Sequence, residues 1–199
     1  LTSISNENFL DVIDNLLLNN RTIKKADVIK YITLPHIFVD IENKTPYTRF
    51  WNYLIGRGFL NPQDLLMKHD IRCCIEGEWE DRLIFPLYKD NHLVSWISRS
   101  INKNAFLRYK DTSIKESIIH PKHFLYNYDD LIMGGDVLYI CEGVFDCLKV
   151  DYFSSDNIKA TCLFTKSMTK EQSYLVVALS KVFKEIRILL DADAYVLGA

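Results

Sequence analysis

The chain has 199 residues, 48% of them hydrophobic and 25% charged, with a formal net charge of −2. These values suit a soluble globular protein of one or two domains with a sizeable core, and they exclude a low-complexity chain. No apolar run approaches the roughly 20 residues of a membrane span, and the opening LTSISNENFLDV lacks the basic-then-apolar layout of a signal peptide. No membrane partner is expected. The chain starts without Met, which suggests a piece of something longer.

The first third reads as helices. SNENFLDVIDNLLLN places Phe9, Val12, Ile13, Leu16 and Leu17 on one face, with Ser5 as N-cap. TPYTRFWNYLIGRG is a second helix, stopped by Gly56 or Gly58, and NPQDLLMKHD a third, with Asn61 as cap and Pro62 at the first helical position. The middle reads as an antiparallel meander. RLIFPLY and HLVSWISRSI flank the turn Lys89-Asp90-Asn91, FLRYKDT follows as a third strand, and Pro86 suits an edge or a bulge. MGGD, at residues 133–136, marks a boundary. Beyond it VLYIC, KATCLFT and EIRILLD are apolar strands separated by the helices VFDCLKVDYF and TKEQSYLVVALSKVF. That alternation predicts a parallel βαβαβ sheet with right-handed crossovers. The fold class is α/β, or α+β overall: a helical segment at 1–70, a basic mixed β subdomain at 71–133, and the parallel sheet at 134–199.

The five cysteines, Cys73, Cys74, Cys141, Cys147 and Cys162, form no C-x-x-C pair, and three lie in apolar runs. They read as small core hydrophobes in a reducing cytoplasm, neither a disulfide framework nor a zinc site. Charge is segregated along the chain. From Arg82 to Lys122 eight basic residues face three acids, whereas from Leu125 to Ala160 seven acids face two lysines. The first stretch suits a polyanion and the second suits cations, unless both are solvated faces.

Two of the apolar strands end in carboxylates. Glu142 ends the first, with Asp146 four residues on, and Asp191 and Asp193 end the third. Ligands of open α/β sheets bind at the carboxyl ends of the strands. If the first and third strands are neighbours, the four carboxylates converge, and their mutual repulsion requires protons or cations. Hard oxygen donors in a cluster suit Mg²⁺ or Mn²⁺, and two such ions suit in-line phosphoryl displacement. Plainer roles also exist: Asp146 complementing a helix dipole, Asp193 capping a helix, and Arg99 and Arg108 lining an exposed strand face.

EGVFDCL and LLDADA resemble two motifs of the Toprim domain, shared by DnaG-type primases, topoisomerases and some nucleases. Upstream, YLIGRGF, EDRLIFPLYKDNHLVSWISRSI, LRYKDT and HPKHFLYN are similar to stretches of the primase core, phage-like primases above all. The resemblance spans roughly residues 50 to 193. It implies a Toprim fold in 134–199 that continues past the chain's end, and DNA-templated synthesis of RNA primers during replication. Glu142, Asp146, Asp191 and Asp193 would be the catalytic metal ligands for two or more Mg²⁺ or Mn²⁺ ions, with no structural zinc in this piece. Arg82, Arg99, Arg108, Tyr109, Lys110, Lys122 and Lys166 would face template or nucleotide. The implied partners are a single-stranded DNA template, ribonucleoside triphosphates and a replicative helicase. A Toprim nuclease and a non-catalytic module binding single strands or helicase are the rival readings.

Overall fold

The computed structural model describes residues 31–190. The helix expected within residues 5–19 and the carboxylates Asp191 and Asp193 lie outside the described residues. The described chain forms two units, 31–121 and 122–190.

In the first unit, strands β1 (Val39–Asp40), β2 (Arg72–Cys74), β3 (Arg82–Lys89), β4 (His92–Ser100) and β5 (Tyr109–Asp111) form one antiparallel sheet in chain order. Pairing of β1 with β2 ties residues on either side of position 70 into one sheet. Asp90 and Asn91 join β3 to β4 with φ of 53° and 60°, the two-residue turn that Asn and Asp tolerate. Pro86 lies beyond Ile84, where the pairing of β3 with β2 ends, so its missing N–H removes no ladder bond on that side. A bulge follows at once, between Leu87 and Tyr88. The third strand is shorter than expected, because Phe106, Leu107 and Arg108 belong to the loop before β5.

Helix α1 (Thr48–Gly56) buries Phe50 and Leu54, one turn apart. It runs through Gly56 and stops before Gly58, whose φ of +98° only glycine adopts freely. Helix α2 (Gln63–Lys68) starts one residue later than expected, with Pro62 in the capping position and its carbonyl accepting from Leu66 N–H at 2.8 Å. Strand β3 is covered on both faces. Leu83, Phe85 and Leu87 are buried on one side, while Ile84 joins Phe38, Cys74, Trp79, Leu93 and Trp96 on the other.

The second unit contains helix α3 (Tyr128–Leu131) and then β6 (Gly135–Cys141), α4 (Val144–Phe153), β7 (Ile158–Cys162), α5 (Lys170–Leu179) and β8 (Phe183–Leu189). The strands are parallel in the order β7-β6-β8, so the first and third are neighbours. Strand β7 ends at Cys162, and Leu163, Phe164 and Thr165, expected to extend it, open a loop. The unit begins at Lys122, ahead of the boundary expected at MGGD. Phe124 and Tyr126 are buried here, their carbonyls accepting from Gln172 Nε2 at 2.9 Å and Thr161 Oγ1 at 2.8 Å. Gly134 is required where it stands: its φ is +74°, and a Cβ would lie 2.5 Å from the Val182 carbonyl oxygen.

Candidate functional site

Strand β6 is central in its sheet, and Glu142 is the first residue past its carboxyl end. Gly143, extended at φ −122° and ψ 159°, carries the chain into α4, and Asp146 falls in that helix's first turn. Both carboxylates are half-buried. Glu142 Oε2 is fully buried and has no hydrogen-bond partner, a costly state for a carboxylate oxygen unless a cation or proton meets it. Burial pushes the Cys141 thiol up to about 12, and the Asp146 charge adds to the shift. Burial likewise pushes Cys147 and Cys162 well up, Asp146 contributing to each. The wall behind the rim is therefore of neutral thiols, poor ligands for a hard cation, so the oxygens of Glu142 and Asp146 are the donors a divalent ion would use.

Register brings the third strand to the same edge. Cys141 pairs with Leu189, and Asp191 comes two residues later in the sequence. Among the described residues no three His, Cys, Asp or Glu side chains form a cluster fit for a metal; the other two expected ligands lie outside them. The loop after β7 starts beside Glu142, since Phe164 N–H donates to the Glu142 carbonyl at 3.2 Å and Leu163 N–H to that of Cys141 at 3.1 Å. Lys166 is exposed on this loop. Lys122 is also exposed, and its carbonyl accepts from Thr169 Oγ1 at 3.2 Å at the loop's far end.

Gln172 holds that loop, and the sequence reading passed it over. Buried entirely, it donates from Nε2 to Phe124 O and Leu163 O, both at 2.9 Å, and accepts from Thr169 N–H at 3.1 Å. Thr169 Oγ1 accepts from Gln172 N–H in return, completing a capping box at the start of α5. The signal was present as T-x-x-Q in TKEQ.

The basic residues of the first unit divide between two faces of the sheet. Leu83, Arg99 and Tyr109 lie across from one another on neighbouring strands and share one face. There Arg99 Cζ sits 4.6 Å from the centre of the Tyr109 ring. Arg82 pairs with Ser100, and Lys110 with Ser98, on the opposite face. Lys110 is committed to Glu78 and lies 4.2 Å over the Trp79 ring. Arg82 is 8% exposed; Nη2 donates to Leu107 O at 2.7 Å and Nη1 is buried without a partner. Burial lowers its hold on the proton. Arg108 is exposed at the end of the loop preceding β5.

Comparison with solved structures finds the same fold. A DnaG catalytic core superposes with a TM-score of 0.62 at 12% identity, over 90% of this chain and 61% of that one. The chain has the fold of a DnaG-type primase catalytic core. The Escherichia coli primase core matches with a TM-score of 0.57 at 14% identity, over 73% of this chain and 56% of that one. A DnaG primase catalytic domain bound to single-stranded DNA matches at 0.57 and 15% identity, over 80% and 61%. This primase-like chain thus spans about three-fifths of the length of the cores it resembles. No family model and no curated protein sequence matches it.

Proposed function

We propose that this chain is the catalytic part of a DNA-templated RNA primase. The observation that carries the reading is Glu142: in a primase-core fold, at the carboxyl end of the central parallel strand, it presents a buried carboxylate oxygen with no partner. Glu142 and Asp146, joined by Asp191 and Asp193, would hold Mg²⁺ or Mn²⁺. Bound there, such ions supply Lewis acidity to an attacking hydroxyl and a leaving pyrophosphate. The chain's own residues supply position. Lys166, on the loop that starts beside Glu142, and Lys122 are the cations of this unit assigned to triphosphate. In the other unit Arg99 and Arg108 are assigned to template phosphates, as fork donors on one strand of DNA. Lys110 is less suited, being spent on Glu78, and Arg82 acts through the loop it holds. The single-stranded DNA bound by one similar core supports the choice of template, and a replicative helicase is the expected partner.

Labelled ribonucleotides, a single-stranded template and Mg²⁺ or Mn²⁺ test this. Wild-type protein is expected to make short primers, and Glu142→Gln to make none while binding DNA as well or better. Because the substitution acts on a buried side-chain oxygen that has no partner to lose, its Tm should hold or rise. Normal synthesis by Glu142→Gln would overturn the metal-site assignment. Cleaved DNA in place of primers would make the chain a nuclease using the same carboxylates with water, and binding alone would make it a docking module.

A further inference from the structure

The loop between β4 and β5, residues 101–108, is tethered at both ends. Ser100 N–H donates to Arg108 O at 2.9 Å, Ile101 N–H to Asp81 O at 2.9 Å, and Arg82 Nη2 to Leu107 O at 2.7 Å. Within it Asn104 N–H donates to Asn102 Oδ1 at 2.9 Å. On this fixed support Phe106 is 99% exposed. Its neighbours on the loop are exposed cations, Lys103 and Arg108, neither of which has an ion pair among the described residues. Phe106 and its half-exposed neighbour Leu107, set among cations and amides, make too small an apolar patch for a protein or lipid surface. It has the composition of a stacking platform: an aromatic face for a base with positive charge for the flanking phosphates. Tyr109 is less available for that purpose, because Arg99 already covers its ring.

We infer that Phe106 stacks against an unpaired base of single-stranded nucleic acid, with Lys103 and Arg108 holding the adjoining phosphates. The inference rests on the proposed single-strand binding by this unit and adds the residue that reads a base rather than a phosphate. Arg82, nine-tenths buried beneath the loop, is then the positioning residue that fixes its height.

Fluorescence anisotropy with a thymidine oligonucleotide and an abasic oligonucleotide of equal length tests it. Wild-type protein should bind the thymidine strand more tightly than the abasic one. Phe106→Ala should weaken thymidine binding roughly 5- to 100-fold while leaving abasic binding, the salt slope and Tm unchanged. Phe106→Trp should keep the preference and show base-dependent quenching beyond that of wild type. Unchanged thymidine binding by Phe106→Ala, equal loss on both strands, or a wild type that binds both equally would each overturn the stacking role. A wild type that binds neither strand would instead overturn the single-strand reading on which it rests.

Discussion

Arg82 and Arg99 stand on paired strands of one hairpin, yet the first is buried beneath a loop and the second lies against an aromatic ring. The bulge explains the difference. From the turn, Lys89 pairs with His92 and Tyr88 with Leu93, a register that if continued would set Arg82 directly opposite Arg99. The extra residue, Val94 on β4 opposite the Leu87–Tyr88 step, shifts the pairing, so Leu83 faces Arg99 and Arg82 faces Ser100. A sequence pattern shows that both arginines are in strands but not that one unpaired residue separates their faces. Arg99 is the better candidate for DNA, and Arg99→Ala is expected to weaken single-strand binding and reduce the salt slope by about 0.7, the release of one phosphate's counterions. Titrations across a salt series measure this. An unchanged slope with a lowered Tm would show that Arg99 only packs on Tyr109.

Among the elements, those in the parallel unit were the most legible. Strand, helix, strand, helix and strand alternate there as expected, although Ile188 and Leu189 of β8 are exposed among the described residues, and the adjacency of β6 and β8 comes from the strand order and not from the alternation itself. The loops were less legible, because their shape depends on side chains far away in sequence. Gln172 read as one polar residue of a helix; in the fold it serves Phe124 and Leu163, the latter at the start of the loop beside Glu142. Gln172→Ala removes the capping-box partner, takes the side-chain donor from the Phe124 carbonyl and leaves Leu163 O with only Thr165 Oγ1 at 3.4 Å. A loss of about 2–4 kcal/mol is expected, read from urea unfolding. If synthesis also falls more than stability explains, the loop's placement of Lys166 matters to the reaction. Stability within error of wild type would show that water replaces the amide.

Across the whole molecule the five cysteines behave as one class. All are buried and free of disulfides, as their apolar surroundings suggested. Burial pushes the thiols of Cys73 and Cys141 to about 12 and raises those of Cys74, Cys147 and Cys162 as well. An unfolded thiol titrates near 8.5. Since the folded values lie higher, the unfolded chain sheds these protons first as pH rises. Stability is then complete below about pH 8.5 and declines as the pH approaches 12. Each titrating thiol should lower Tm by about 3 °C per pH unit over that window. Thermal melts followed by circular dichroism from neutral to alkaline pH measure the slope. Cys141→Ala loses some packing at every pH, but it removes one titrating group and should therefore flatten the decline. If the slope of Cys141→Ala matches wild type, the alkaline loss belongs to other groups, and the thiol wall behind Glu142 already ionises within the folded protein. That outcome would also admit sulfur as a cation ligand beside Glu142 and Asp146, which the neutral wall otherwise leaves to oxygen.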